Sequence, residues 1–254
     1  MAERNIKLVI EYDGTGYAGW QSQKQQTTIQ DTILEAVFKT TGIKVNLIGA
    51  GRTDAGVHAM GQVANFMINH RLEPEQYRDA LNYYLPDDIR IKSAAEVSPD
   101  FNARYSAVFR RYRYLIGFEK SAIHRNLRWD YRKPLDYDRL QEAAAELPGE
   151  HDFTPFCVVA SRKESNICRI DYSRWRRMGP LLVYEIRGNR FLHSMVRSLV
   201  GAMVNLATTD PDNNKLNLTL AGFKDIMKSN TDHRVSFTAP AHGLYLVSVG
   251  YSED

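Results

Sequence analysis

Residues 51–58, GRTDAGVH, put a guanidinium (Arg52), a hydroxyl (Thr53), a carboxylate (Asp54) and an imidazole (His58) into eight positions, with glycine at the first and sixth. The chemistry open to such a stretch is narrow. One aspartate four residues before a histidine lacks the several ligands that a closed metal site needs. No Gly-Lys-Ser/Thr follows, so the loop is not a phosphate cradle of the P-loop kind. A lone carboxylate cannot supply the acid and base pair of glycoside hydrolysis. It can act as a nucleophile. For that it must stay ionised in a partly dry pocket, which requires a nearby cation. A plainer reading is a tight corner, in which Gly51 and Gly56 enter conformations barred to other residues and Asp54 folds back on its own backbone. Both readings stand on the residues alone.

A candidate cation is Arg197, inside the helical pattern RFLHSMVRSLVGAMVNLA. There Phe191, Met195, Leu199, Met203 and Leu206 follow core spacing, and His193, Arg197 and Gly201 form a neighbouring stripe at i, i+4 and i+8. A glycine one turn beyond an arginine leaves room for something to approach; a solvent-facing arginine on an ordinary amphipathic helix is the alternative. Other basic residues cluster. Arg104, Arg110, Arg111 and Arg113 fall between positions 104 and 114 with no acid, and Arg162, Lys163, Arg169, Arg174, Arg176 and Arg177 lie between 162 and 177 against Glu164 and Asp171. Interleaved with Tyr105, Phe109, Tyr112, Tyr114, Tyr172 and Trp175, they suit phosphates and stacked bases, or else are solvated strand faces.

The elements that must position these residues follow from periodicity. With 254 residues, 43% hydrophobic and 25% charged, and a net charge of +3, the chain matches a globular protein with a sizeable core. Ile6, Leu8 and Ile10 alternate as in a strand. Ile29, Ile33 and Val37 recur every four residues between the capping pair Thr28 and Asp31 and the C-cap Gly42, which predicts a helix. KVNLIGA, GQVANFMI and DIRIKSAAEV read as strands, and PEQYRDALNYYL as a helix with proline in its first turn. After residue 104 the plan repeats: the strand YSAVFRRYRYLIGF, the helix DYDRLQEAAAEL, a hairpin of RIDYSRWRRM and LLVYEIRG around Gly179 and Pro180, the long helix above, the shorter LAGFKDIMKS and a last strand LYLVSVGY. The expected fold is α+β, two ferredoxin-like (RRM-like) halves, 1–104 and 105–254, sharing a mostly antiparallel central sheet flanked by helices. The first half carries the Asp54 loop, and the second completes the cleft.

Cys157 and Cys168 form no CxxC or Cys/His cluster, which speaks against structural zinc and a disulfide scaffold. No run approaches membrane-spanning length and no apolar leader opens the chain, so the expected location is the cytoplasm, away from membranes.

Five segments, in order from Glu11 to Tyr251, resemble the tRNA pseudouridine synthase A family: EYDGTGYAGWQSQ, GRTDAGVHAMGQVANF, FNARYSAVFRRYRY, RGNRFLHSMVRSLVG and AHGLYLVSVGY. The resemblance implies the pseudouridine synthase fold and an isomerase that needs no cofactor and no metal. A uridine of tRNA is detached at N1 from its ribose, turned and rejoined through C5. It implies that Asp54 is the essential aspartate, attacking C6 of the uracil or C1′ of the sugar. Arg52 would help draw the nucleotide out of the stack, Tyr112 would pack on the flipped base and take part in removing the C5 proton, and Arg197 would pair with the catalytic carboxylate. Arg110 and Arg111, beside Tyr112, are expected to bind the substrate. The resemblance further implies a homodimer with tRNA lying across both subunits, and targets on the 3′ side of the anticodon loop and stem.

Extrusion is also a physical requirement, since a stacked base hides C1′ and C6 from a carboxylate. Two other classes are distinguishable. An RRM-like binding module would have no use for Asp54 beside Arg52, and a metal-dependent nuclease would need clustered acidic and histidine ligands.

Overall fold

The structure, a computed structural model, describes residues 2–162, 164–209, 218–228, 235 and 237–252. Contacts divide the chain into two units, Met1–Val108 with Tyr245–Asp254, and Phe109–Leu244. In the closing strand, Tyr245 and Leu246 pair in parallel with His58 and Ala59 of the first unit.

The first unit runs β1 (Arg4–Tyr12), α1 (Ile29–Thr41), β2 (Ile48–Gly49), β3 (His58–Ile68), α2 (Pro74–Tyr84) and β4 (Ile89–Val97), with the closing strand Leu244–Tyr251. β1 pairs antiparallel with both β3 and β4, and β2 pairs antiparallel with β3. The spatial order β4-β1-β3-β2 is the split βαββαβ arrangement of a ferredoxin-like unit. α1 begins where Thr28 accepts a hydrogen bond from the Asp31 N–H and ends at Gly42 with φ +71°, matching the caps in the sequence. KVNLIGA contributes only Ile48 and Gly49 as a strand, because its register with β3 is confined to Asn65 and Ala64. Ile6, Leu8, Ile10 and Tyr12 of β1 are buried, as are Ile29, Ile33 and Val37 of α1 and Tyr77 and Leu81 of α2. Phe66 of β3 meets Tyr77 edge to face at 5.9 Å.

The second unit repeats the plan. β5 (Ala107–Gly117) and the two-residue β6 (Trp129–Asp130) lead to α3 (Tyr137–Ala145), the short β7 (Gly149–Asp152), β8 (Ile167–Met178), β9 (Leu181–Gly188), α4 (Met195–Ala207) and α5 (Leu220–Lys228). β9 lies between β5 and β8, antiparallel to both, and β7 pairs antiparallel with β8. α4 is buried on almost every side, with Arg197 the partly exposed exception, as a helix enclosed in a core should be. It starts at Met195, five residues later than the apolar pattern suggests. Ser194 sits at φ +58°, a left-handed conformation that a helix cannot propagate through. His193 therefore precedes the helix, and of the expected stripe only Arg197 and Gly201 share its surface.

Candidate active site

Asp54 lies in the loop between β2 and β3, half-buried, between exposed Arg52 and Ala55 and next to buried Thr53. The loop is held chiefly by groups outside itself. Gln62 donates to the Gly51 carbonyl at 2.9 Å, and the Trp20 N–H donates to the Thr53 carbonyl at 3.1 Å. The Tyr12 and Thr53 hydroxyl oxygens are 2.7 Å apart. Within the loop, the Val57 N–H donates to the Asp54 carbonyl at 3.1 Å and closes a turn. Of its two glycines, Gly56 adopts φ +75° and Gly51 does not, so the corner needs glycine at one end rather than at both.

The glycine loop at residues 13–21 packs directly against this corner. Gly19 has φ +96°, and a Cβ there would stand 2.5 Å from the Thr53 carbonyl oxygen. Only glycine meets both demands. The Nδ1 of buried His58 is 3.1 Å from both the Gly14 N and an Asp13 oxygen. The neutral ring accepts from Gly14, and the protonated ring donates to Asp13. The His58 ring also stacks on Tyr245 at 4.7 Å. Asp13 is held below the ordinary carboxylate range: burial pushes its pKa up, but hydrogen bonds from the Thr15 hydroxyl and N–H, together with His58, outweigh it. Arg52 Nε donates to Gln21 at 3.0 Å, Gln21 donates to Gln30 at 2.8 Å, and Gln30 donates to the Leu47 carbonyl at 2.9 Å. The sequence motifs around Gly14 and around Asp54 are thus one structure.

The remaining candidates belong to the second unit. Tyr112, on β5, is buried with its ring 5.0 Å from Phe191, edge to face. Arg110 donates from Nη1 to the Asn189 carbonyl at 2.9 Å, and Arg111 lies opposite Arg187 of β9. Arg197 Nε donates to the Ala239 carbonyl at 2.9 Å, and the Ala239 N–H donates back to the Arg197 carbonyl. What fills the room left by Gly201 is this same segment, since a Cβ on Gly201 would lie 2.6 Å from the Phe237 carbonyl oxygen. Tyr114 donates to the Pro240 carbonyl at 2.8 Å, and burial pushes its phenol well above the ordinary value. Among the described residues, no three of His, Cys, Asp and Glu come together as metal ligands do.

A family model described as tRNA pseudouridine synthase matches residues 8–106 and 143–252. The tRNA pseudouridine synthase A of Acetivibrio thermocellus is 43% identical over 250 residues, 98% of this chain and all of that one. The chain belongs to the tRNA pseudouridine synthase A family. A further tRNA pseudouridine synthase A, from Brachyspira hyodysenteriae, is 42% identical over 95% of this chain and 96% of its own, and one from Picosynechococcus is 39% identical over 98% and 90%. Pseudouridine synthases are isomerases, and membership places this chain among enzymes. The matched segments contain the Asp54 loop and α4 with Arg197, whereas Arg110, Arg111 and Tyr112 fall between them.

Sequence reasoning passed over Tyr12, Gln21, Phe191 and the segment 237–240. Tyr12 continues the buried alternation of β1 and reads as core. Phe191 reads as the first apolar position of a helix that begins only at Met195.

Proposed function

We propose that this tRNA pseudouridine synthase isomerises uridines of the anticodon arm, on the 3′ side of loop and stem, with Asp54 as nucleophile. The observation that carries the reading is the placing of Asp54: a half-buried carboxylate on a loop that buried side chains and a neighbouring glycine loop hold in shape. Preorganisation of this kind suits a group that must attack from one direction.

The uridine is extruded, and the N1–C1′ bond breaks with the Asp54 carboxylate adding to C6 of the uracil or to C1′ of the ribose. The base turns, C5 bonds to C1′, and the carboxylate is released. The C5 proton leaves and N1 gains one, so the product is an isomer of the substrate. Tyr112 packs on the turned base and assists loss of the C5 proton; stacking of this sort contributes roughly 1–3 kcal/mol per base. Arg52 manages the extruded nucleotide, Arg197 is the cationic partner of the catalytic carboxylate, and Arg110 and Arg111 hold phosphates, so binding weakens steeply with salt. The enzyme works as a homodimer in the cytoplasm.

The test is pseudouridine formation in unmodified tRNA transcripts, mapped by position, with wild type and Asp54→Asn in buffer containing EDTA. Conversion in the anticodon arm by wild type, with tRNA binding but no conversion by the variant, is the expected result. Turnover by Asp54→Asn removes the nucleophile role.

A further inference from the structure

A carboxylate that must attack along one line is only as well placed as the backbone on either side of it. Downstream of Asp54 the turn closed by Val57 fixes the chain. Upstream, Thr53 is fixed through two of its own atoms: its carbonyl accepts from the Trp20 N–H, and its hydroxyl lies 2.7 Å from that of Tyr12. Tyr12 and Thr53 are 3% and 7% exposed, so water does not compete for this hydrogen bond.

Tyr12 reaches Thr53 because the sheet is irregular there. Ile10 of β1 faces Gln62 of β3, but Tyr12 faces Ala59, so two residues along β1 run against three along β3. Without that extra residue Tyr12 would face Met60, one position farther from the loop that ends at Val57. A bulge at the end of a strand redirects the side chain beside it. The packing role of Tyr12 needs no hydroxyl, since its ring lies 6.2 Å from that of Trp20 within the core, and phenylalanine would serve there. The bulge and the hydroxyl together aim a polar contact at the residue preceding Asp54.

We propose that Tyr12 is a positioning residue for the reaction: its hydroxyl holds Thr53 and thereby sets the direction in which the Asp54 carboxylate is presented. Tyr12 touches neither substrate nor reacting atoms in this role. The inference rests on Asp54 being the nucleophile.

The experiment compares kcat and KM on a tRNA transcript for wild type, Tyr12→Phe, Asp54→Asn and the double variant Tyr12→Phe/Thr53→Val, each confirmed folded by circular dichroism at the assay temperature. Tyr12→Phe is expected to lower kcat about tenfold or more with KM unchanged, since misplacement of a reacting group by an ångström costs up to about a hundredfold. The double variant removes both polar partners, so no buried hydroxyl is left unmatched, and its urea midpoint recovers towards wild type. Its kcat should stay low, because the side chain at position 53 is no longer pinned and only the carbonyl bond from Trp20 remains. A double variant that recovers kcat together with its midpoint overturns the proposal and leaves Tyr12 a purely structural role. Wild-type kcat in Tyr12→Phe overturns it as well. Loss of activity in Asp54→Asn alongside full activity in Tyr12→Phe rejects this proposal alone, whereas turnover by Asp54→Asn rejects the nucleophile assignment on which it rests.

Discussion

Arg197 and Ala239 bind each other twice, the guanidinium Nε donating to the Ala239 carbonyl at 2.9 Å and the Ala239 N–H to the Arg197 carbonyl at 3.0 Å. The exchange ties the segment before the closing strand to α4, and the Tyr114 hydroxyl on Pro240 fastens the next residue to β5. A side chain held through Nε has its guanidinium plane set, which an ammonium on a flexible stem cannot reproduce.

Arg197→Lys should therefore keep its charge and lose its aim. Turnover on tRNA transcripts is expected to fall about tenfold or more, with the fold retained by circular dichroism. Wild-type turnover would show that charge alone suffices at this position.

Gly201→Ala forces a methyl group to within 2.6 Å of the Phe237 carbonyl, a backbone atom that cannot swing aside. Overpacking of this sort costs about 1–3 kcal/mol. Urea unfolding reads the loss directly, and an unchanged midpoint would mean that the segment 237–239 yields freely.

Gln21 orients Arg52 through a chain that ends at the buried Gln30 and the Leu47 carbonyl. Gln21→Leu should lower kcat/KM about tenfold, the scale of a hydrogen bond to a charged group. Gln21→Leu combined with Arg52→Ala should be no worse than Arg52→Ala alone, since both remove one device. Fully additive losses would separate the two residues.

Glu185 on β9 accepts hydrogen bonds from Arg113 and Arg174, each at 3.0 Å. Burial raises its pKa, and the two arginines more than offset this, leaving it below the ordinary value. A carboxyl whose pKa is lower in the folded state contributes stability that is complete above its unfolded value, about 4.3, and is lost as pH falls through the folded value. Urea midpoints measured from pH 7 down to about pH 3 should fall more steeply for wild type than for Glu185→Gln. Parallel curves would mean that the arginine pair adds nothing net.

Much of the fold was legible because its signals are local. The alternation in β1, the four-residue spacing and caps of α1, and the hairpin at Gly179 each depend on residues within one element, and each element formed close to where its pattern lies. The failures were also physical. The apolar pattern at 190–207 is continuous through Ser194, but a left-handed backbone there starts the helix at Met195 and releases Phe191 to pack on Tyr112. KVNLIGA has strand composition, yet pairing with β3 is available to two of its residues.

By itself, the sequence determined the residue types, their order and the family they resemble: a lone carboxylate beside an arginine, glycines at the corners, and basic aromatic strands. The tertiary structure decided which distant groups meet these residues. Gly19 beneath Thr53, Tyr12 reaching Thr53 across a one-residue bulge, Gln21 on Arg52 and Ala239 on Arg197 join positions far apart in the chain. Periodicity within an element reports which face is buried. It carries no signal for which distant backbone carbonyl or hydroxyl will arrive at that face, because register and loop packing are fixed only when the whole sheet assembles.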